Sequence, residues 1–320
     1  MRLLEKYLIN FKKEVLAVRL LIGRIIKWLG KNEILNFIND EIYLKILFYF
    51  FMNKSLDLSN PQTLNEKIQW IKLYMRDARY VSLVDKVTAK DYVAKVIGEK
   101  YIIPTLGIWD DFEKIDFKNL PEKFVLKCNH DSGSCIVCKN KTKLDIGYVR
   151  KFFKKKLNRN YYWAAREWFY KGINPKIIAE SYMEDSSTND LRDYKFYCFN
   201  GRVDSVLLCL GRNIGKPVFY FFDKEWNLKR YNLSGKEAPD DFFIDKPKNI
   251  EEMFFVAEKL AKSIKVPFVR IDLYSVNSKT YFGEFTFYPD SGMDRNRLPE
   301  TDKYFGSLFE LKNSLESRRF

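Results

Sequence analysis

The sequence is poor in residues that break or cross-link a chain. Its 320 residues include only 14 Gly and 10 Pro and contain no internal repeat, which excludes disordered, collagen-like and low-complexity chains. The five cysteines are an odd number in a chain large enough to build its own core, so we expect reduced thiols rather than a disulfide framework. Cys135 and Cys138 form an isolated CxxC pair. We interpret them as buried thiols of a strand; a zinc or redox site is the alternative.

The sequence also has little histidine and lacks long apolar segments. His130 is the only histidine, so it is either the one available histidine base or a residue that stabilises its own loop. Charges interrupt every apolar run before the ~18 residues needed to span a bilayer, and no small-residue cleavage site follows residues 1–30. We therefore expect a cytoplasmic protein that is neither exported nor integral to a membrane.

Positive charge, in contrast, is in excess, with a formal net charge of +14. Such a surface attracts polyanions, but no zinc-finger spacing, RNA-recognition signature or long basic run is present, which argues against a nucleic-acid partner. Residues 1–30 contain seven basic and two acidic residues among apolar residues at helical spacing. This pattern predicts a basic amphipathic helix that either docks on an anionic membrane surface or packs against its own protein.

The segment after residue 60 opens with a helix signal. Thr63 and Glu66 have the spacing of a capping box, in which each side chain bonds the other residue's backbone. A second helix is predicted over residues 82–96, and Gly98 should end it. These signals indicate that an N-terminal helical region ends near residue 60.

From residue 123 onward, alternating apolar residues predict strands. Two such runs flank the loop 130–134, and two more flank Asn200-Gly201, so each pair predicts a hairpin. A helix at about 250–264 precedes a last pair of strands, which completes an α+β protein with antiparallel sheets. The expected units are a basic amphipathic helical region (1–60), a helical and extended region (61–122), a first sheet lobe (123–183) and a second sheet lobe (184–320).

The last hairpin carries two acidic residues on neighbouring strands. Alternation puts Arg270 and Asp272 on one face of the first strand. Glu284 and Thr286 likewise share a face of the second strand, and a turn near Ser278 would set Asp272 opposite Glu284. Two carboxylates at cross-strand distance repel each other unless a cation lies between them, and hard oxygen ligands suit Mg²⁺. The two carboxylates therefore either bind a metal ion together or are two solvated acids on an exposed face of the sheet.

Lys127 ends an apolar strand just before the small and polar residues of the loop 129–134. Such a loop lets backbone amides approach an anion, with the lysine as a point charge. Neither a P-loop pattern nor a full GxGxxG occurs. A plain hairpin turn is therefore the alternative.

Taken in order, these segments resemble the ATP-grasp fold and, within it, the TupA-like ATP-grasp family found with bacterial surface-polysaccharide genes. The resemblance covers about residues 40–310. It implies an ATP-grasp fold with two antiparallel-sheet lobes that hold ATP between them, with ATP and Mg²⁺ as cofactors. The motifs that carry it are NPQTLNEKIQW, VDKVTAKDYV with IIPTLG, FVLKCNHDSGS, IIAESYMED, DYKFYCFNG, VRIDLY and GEFTFYPDSG.

The resemblance also implies roles for individual residues. Those implied to hold the phosphates, adenine and ribose of ATP are Lys86, Lys127, His130, Ser132, Gly133, Ser134, Glu180, Ser181, Tyr182, Met183, Asp185 (or Glu184) and Lys195. Those implied to act on the transferred phosphoryl group are Arg270 and Lys195, and those implied to bind Mg²⁺ are Asp272, Glu284 and Thr286. The widespread pattern has Asn at the position of Thr286, and Asp290 is an alternative ligand there.

The function implied is that of a ligase that activates a carboxylate with ATP, through an acyl phosphate, and joins it to an amine. The family association suggests an amino acid or amine joined to a uronic acid of a capsule or other surface glycan precursor. One alternative is a glycosyltransferase, for which the nearest metal motifs are the DxE runs 111–113 and 223–225. A second alternative is a non-catalytic nucleotide-binding scaffold.

Overall fold

The computed structural model describes residues 2–186, 191–211 and 215–311, without the side chains of residues 2–10 and 12. Short 3₁₀ turns link several of its helices and strands. The helices are α1 (Arg2–Lys31), α2 (Asp40–Met52), α3 (Leu64–Tyr74), α4 (Val81–Val84), α5 (Thr88–Ile97), α6 (Ile146–Leu157), α7 (Tyr162–Ala165), α8 (Leu233–Glu237), α9 (Ile250–Ile264) and α10 (Pro299–Ser307). The strands are β1 (Thr105–Trp109), β2 (Phe124–Cys128), β3 (Cys135–Cys138), β4 (Ile177–Ser181), β5 (Asp193–Phe199), β6 (Arg202–Leu210), β7 (Val218–Phe222), β8 (Leu228–Lys229), β9 (Phe268–Val276) and β10 (Lys279–Thr286).

The strands form two sheets. Four strands lie in the order β1-β4-β2-β3, and six lie in the order β10-β9-β5-β6-β7-β8. All of these strand pairs are antiparallel. Each sheet contributes to its own apolar core, with α6 in the core of the first and α9 in that of the second. The predicted α+β class with two antiparallel lobes is confirmed.

The first sheet contains the hairpin predicted from residue 123 onward. β2 pairs with β3 so that Lys127 lies opposite Cys135. The strand placement of the CxxC pair is confirmed, but only Cys138 is buried, whereas Cys135 is exposed. β1 joins the same sheet beside β4, so this sheet takes one strand from upstream of residue 123.

The second sheet contains both of the tight-turn hairpins that the sequence predicts, β5–β6 and β9–β10. Asn200 and Gly201 have φ values of 48° and 79°, the left-handed conformation that two-residue hairpin turns require. Asn277 and Ser278 form the turn of the last hairpin with φ values of 50° and 60°. α9 lies where the sequence predicts a helix and buries its apolar face in the core of this sheet. Both predicted hairpins are confirmed.

The predicted capping box at the start of α3 is also confirmed. The Thr63 hydroxyl accepts from the Glu66 amide at 3.3 Å, and the Glu66 carboxylate accepts from the Thr63 amide at 3.0 Å. The helix then packs against α10, where the Asn65 amide donates to the Asp302 carboxylate. α3 is therefore held both at its cap and along its buried face.

The single helix predicted over residues 82–96 is wrong, because the chain breaks into α4 and α5. Asp85 is extended between them, and its carboxylate accepts from the Val87 amide at 2.9 Å and from the Asn129 side chain at 3.0 Å. The amide of Lys86 also donates to the Asn129 carbonyl. These bonds to the β2–β3 loop replace helical ones, and they bring Lys86 beside that loop.

Residues 1–30 were predicted to be helical, and α1 confirms this. One face of the helix packs against α2 and α7, with Gly23 against Phe50 and Gly30 against Tyr43. No helix in the described ranges has the length and apolar character that a membrane crossing requires. Another face leaves seven apolar side chains between 38% and 65% exposed: Phe11, Val15, Val18, Leu21, Ile22, Ile25 and Trp28.

Candidate active site

A cavity of about 1090 Å³ lies between the two sheets. Its wall takes residues from β2, β3 and β4 of the first sheet and from β5, β6, β7, β9 and β10 of the second. Sites for single small molecules usually occupy about 300–1,000 Å³. The cavity therefore has room for one large ligand or for two smaller ones.

On the first sheet, two lysines share one buried carboxylate. The Nζ atom of Lys127 lies 2.6 Å from Oε2 of Glu180, and Nζ of Lys90 lies 2.6 Å from Oε1. Burial by itself would raise the pKa of Glu180, but the two ammonium groups outweigh it and hold this pKa below its usual value. The ionised carboxylate fixes Lys127 at the cavity wall.

The loop between β2 and β3 forms one edge of the cavity. Nζ of Lys86 donates to the carbonyl of Asp131 at 2.5 Å. Ser132, Gly133 and Ser134 line the cavity, and Gly133 has a φ of 83°, which favours glycine. This edge offers a positive charge and small residues to an anion, as an anion-binding loop does.

The segment that leaves β4 forms another part of the wall. Ser181 ends the strand, and Tyr182, Met183 and Glu184, which follow it, also line the cavity. The ring of Tyr182 lies 5.5 Å from Nζ of Lys123 and 5.8 Å from Nζ of Lys139.

On the second sheet, two cations surround a buried carboxylate. Nε and Nη2 of Arg270 each donate to Asp272 at 2.7 Å, one to each carboxylate oxygen. Nζ of Lys195 lies 2.5 Å from Asp272 and 2.6 Å from Asp193. Burial by itself would raise the pKa of Asp272, but Arg270 and Lys195 hold it below its usual value. The network keeps an ionised carboxylate and two cations at the cavity wall.

The predicted pairing of Asp272 with Glu284 is confirmed, although the turn alone does not produce it. A turn at Asn277 and Ser278 would set Asp272 opposite Gly283. A β-bulge at Gly283 shifts the register by one residue. The bulge therefore places Glu284 directly opposite Asp272.

These carboxylates fit the ligand requirements of Mg²⁺. Asp272 accepts three hydrogen bonds, which leaves about one of its four lone-pair positions. Glu284 accepts from the Thr286 hydroxyl at 3.3 Å, and its side chain is 34% exposed. The described residues contain no cluster of three or more His, Cys, Asp or Glu side chains that could hold a metal. Mg²⁺ usually needs only one or two carboxylates when phosphates and water complete its shell.

The sequence that forms this cavity was compared with models of known families. A profile of the TupA-like ATP-grasp family matches residues 66–310, which is more than half of the chain. The chain belongs to the TupA-like ATP-grasp family. Its fold is the ATP-grasp fold, as the sequence motifs imply. Comparison with curated protein sequences found no match.

Solved structures similar to this TupA-like chain include three from bacteria. D-alanine--D-alanine ligase from Bacillus anthracis, complexed with ATP, is 13% identical, with a TM-score of 0.44 over 74% of this chain and 66% of that chain. D-alanyl-alanine synthetase A from Vibrio cholerae is 12% identical, with a TM-score of 0.42 over 73% and 62%. The biotin carboxylase domain of the Hydrogenobacter thermophilus 2-oxoglutarate carboxylase, with MgADP and bicarbonate, is 16% identical, with a TM-score of 0.40 over 74% and 48%. The TupA-like chain therefore spans less than two thirds of the length of these three chains.

The cavity brings together all but two of the site residues that the sequence singles out. Their individual roles stay predictions, because the structure shows only where they lie. Those that line the cavity are Lys86, Lys127, Ser132, Gly133, Ser134, Glu180, Ser181, Tyr182, Met183, Lys195, Arg270, Asp272, Glu284 and Thr286.

His130 is one of the two that lie outside the cavity lining, and its role as an ATP ligand stays a prediction. Its ring is buried, with Nδ1 3.3 Å from the Asn129 side chain and Nε2 3.3 Å from the Lys156 carbonyl. Burial lowers its pKa below the usual value. These contacts favour the alternative that His130 stabilises its own loop by tying it to the end of α6.

Asp185 is the second residue outside the cavity lining. Its carboxylate accepts from the amide of Asn277 at 2.9 Å. The side chain therefore contacts the turn between β9 and β10, and its role near the ribose stays a prediction. Glu184, the alternative named from the sequence, does line the cavity.

Several charged residues of the site were missed from the sequence, among them Glu167 and Asp294 of the cavity lining. Two others lie close in sequence to predicted site residues: Lys90 follows Lys86 by four residues, and Asp193 precedes Lys195 by two. The signal was present, because residues four apart share a face of a helix and residues two apart share a face of a strand. Lys90 was missed because its partner, Glu180, is far away in the chain.

The acidic runs considered for a glycosyltransferase lie outside the cavity lining. Asp223 accepts from the Asn227 amide at 2.8 Å within the β7–β8 turn. Glu113 forms ion pairs with Arg150 and Lys154 at the surface. These side chains have structural partners of their own, so the structure gives no support to the glycosyltransferase alternative.

Proposed function

We propose that the chain is an ATP-dependent ligase that activates a carboxylate as an acyl phosphate and joins it to an amine. One observation carries the proposal: the carboxylates of Asp272 and Glu284 lie opposite each other, beside Arg270 and Lys195, in a cavity that both sheets line. Positioning and charge stabilisation are what phosphoryl transfer requires, with little side-chain acid-base chemistry. A cavity whose described lining contains no histidine meets this requirement.

The first step transfers the γ-phosphoryl group. An oxygen of the substrate carboxylate attacks the γ-phosphorus, the bond to the β–γ bridging oxygen breaks, and ADP leaves. Lys86 and Lys127 would hold the phosphates from the first sheet, while Arg270 and Lys195 would stabilise the charge on the transferred group from the second. Mg²⁺, held by Asp272 and Glu284, would neutralise charge on the phosphate oxygens. The use of ATP and Mg²⁺ is supported by membership of the ATP-grasp family.

The second step joins the amine. Its ammonium form first gives one proton to water; the amine nitrogen then attacks the acyl carbon, the bond to the phosphate oxygen breaks, and the leaving phosphate takes up the second proton, which gives an amide and phosphate. The cavity is also lined by Asp290, Asp294 and Glu167, of which Asp294 pairs with Arg297. Negative side chains favour an ammonium group, so we assign the part of the cavity that these residues line to the amine substrate.

The substrate proposal is a uronic acid of a capsule or other surface glycan precursor, joined to an amino acid or amine. It rests on the association of the family with surface-polysaccharide genes. We also propose that the reaction takes place in the cytoplasm, at the inner face of the membrane. Support comes from α1, which leaves seven apolar side chains exposed, and from the basic composition of residues 1–30.

The test is a screen of acid and amine pairs for phosphate release. Phosphate release from ATP should require both partners, and Glu284→Gln should lower kcat by about 100-fold or more, because it removes a preorganised charge. Glu225→Gln, an exposed residue of the β7–β8 turn, is the matched control and should keep full turnover. Unchanged turnover in Glu284→Gln contradicts the site assignment. Preferential binding of a UDP-sugar over ATP in calorimetry contradicts the ligase itself.

A further inference from the structure

Four cations meet beside the cavity at the ends of two helices. Lys27 and Lys31 lie one turn apart near the end of α1, and Lys156 and Arg159 lie at and after the end of α6. Lys31, Lys156 and Arg159 line one small cavity, of about 20 Å³. Lys27 lines the main cavity. We call these four residues the cationic site.

Two carboxylates lie near the cationic site without forming an ion pair in the described part of the chain: Asp131 lines the same small cavity, and the charge of Lys27 acts on Glu167. None of its four side chains forms an ion pair, although all four are half-buried. Lys27 donates only to the Ser291 hydroxyl, at 3.4 Å, and the Lys156 ammonium lies 5.2 Å from the centre of the Phe152 ring. Charged side chains in proteins are seldom buried without partners.

The arrangement is electrostatically unfavourable in the free protein. Like charges four residues apart on a helix destabilise it, as Lys27 and Lys31 do on α1. Burial lowers the pKa of Lys31, and the charges of Lys156, Arg159 and Lys27 lower it further. Asp131 opposes this effect only in part. The C-terminal ends of α1 and α6 carry partial negative charge and attract cations. The exposed lysines in the last turn of α6 satisfy this attraction without the free-energy cost of burying a charge.

The cationic site is joined to the proposed active site. Asp131, Ser132 and Tyr161 line both the small cavity and the main one. The small cavity has room for about one water-sized group, which corresponds to one oxygen of a larger anion. The helix that carries Lys27 and Lys31, α1, also has the exposed apolar face that starts at Phe11 and ends at Trp28.

We propose that the cationic site binds the phosphate or diphosphate of the carrier to which the glycan substrate is attached. Four cations suit a multiply charged oxyanion better than a single carboxylate, because lysine and arginine both bind phosphate oxygens well. The site would hold the carrier while the reacting group enters the main cavity. This inference rests on the proposed function. In it, the protein recognises the glycan substrate by the phosphate or diphosphate of its carrier.

The test uses inorganic pyrophosphate as the probe and the full chain with Mg²⁺ and a non-hydrolysable ATP analogue filling the nucleotide site. Calorimetry should show pyrophosphate binding, and the double variant Lys31→Gln/Arg159→Gln should weaken it about tenfold or more, since hydrogen bonds to charged groups are strong. The matched control is Lys151→Gln/Lys155→Gln, which removes the same charge from exposed positions of α6. The control should change the affinity by less than about twofold, because exposed charges act weakly.

A second arm distinguishes the source of the phosphate. Vesicles of phosphatidylcholine with phosphatidic acid represent a lipid carrier, and UDP represents a nucleotide carrier. Selective loss of vesicle binding in Lys31→Gln/Arg159→Gln assigns a lipid carrier, and selective loss of UDP binding assigns a nucleotide carrier. Equal weakening in both double variants, or no pyrophosphate binding by the wild type, overturns the proposal. Failure of the ligase itself would appear separately, as wild-type protein that releases no phosphate with any acid and amine pair.

Discussion

At the scale of single residues, the site is a set of charges that hold one another in place. Glu180 lies between Lys127 and Lys90, and Asp272 lies between Arg270 and Lys195. Each carboxylate is buried, and its cations keep it ionised. Removing one member therefore leaves buried charges without partners, which costs more than the pair contributes.

Glu180→Gln should lower the free energy of unfolding at pH 7 by about 3 kcal/mol or more, because Lys90 and Lys127 lose their partner. The pKa of Glu180 is lower in the folded chain than its ordinary value of 4.5. Its stabilising effect is therefore complete above about pH 4.5 and disappears as the pH falls through the folded pKa. Urea unfolding at a series of pH values should show the difference from wild type shrinking in acid.

The control for this variant is Glu113→Gln, whose carboxylate pairs with Arg150 and Lys154 but is 47% exposed. It should change the unfolding free energy by less than about 1 kcal/mol. Equal effects of the two substitutions would show that the buried ion pairs of Glu180 contribute no more to the free energy of unfolding than the exposed ion pairs of Glu113.

At the scale of elements, α1 differs from the other helices described. α9 buries one apolar face, and its exposed face is polar apart from Phe255. α1 buries a narrow face that includes Gly23 and Gly30, while its wider apolar face stays open. An exposed apolar strip flanked by lysine and arginine is typical of helices that lie in a membrane interface. A second copy of this basic helix would be repelled.

Ile25→Glu should weaken binding to vesicles that contain phosphatidylglycerol by about tenfold or more, because it puts a charge on the face that enters the interface. Phe255→Glu places the same charge on an exposed apolar position of α9 and should leave binding unchanged. Co-sedimentation with and without phosphatidylglycerol measures both variants. If Ile25→Glu instead turns a dimer into a monomer in ultracentrifugation, α1 binds a second copy, and the membrane proposal is wrong.

At the scale of the whole molecule, the site exists only because two lobes face each other. Lys86 and Lys127 belong to one side of the cavity, and Lys195, Arg270 and the two opposed carboxylates belong to the other. A nucleotide held between them contacts both sides. Its binding free energy therefore adds to the stability of both lobes.

Hydrogen exchange with Mg²⁺ and a non-hydrolysable ATP analogue tests this expectation. At 100 times the dissociation constant, the ligand should stabilise the fold by about 2.7 kcal/mol. Slower exchange should appear in both the β2–β3 hairpin and the β9–β10 hairpin, and it should require Mg²⁺. Protection confined to one hairpin would contradict a nucleotide site shared by the two sheets.

Much of this arrangement follows from local sequence. The capping box of Thr63 and Glu66, the turn at Asn200-Gly201 and the strand hairpins depend on neighbouring residues, and all of them form as expected. The family motifs identify the cavity-lining residues for the same reason, since each motif is a short segment whose side-chain directions its own helix or strand sets.

The rest of the arrangement depends on contacts between residues that are far apart in the chain. Bonds to Asn129 break the predicted helix at Asp85, Glu180 draws in Lys90, and the β-bulge at Gly283, rather than the turn alone, aligns Glu284 with Asp272. His130 and Asp185 lie outside the cavity lining because distant elements bind them. The sequence determined that residues 1–30 form a basic amphipathic helix, but packing on α2 and α7 decided which face is covered, because burial depends on what the rest of the chain brings alongside.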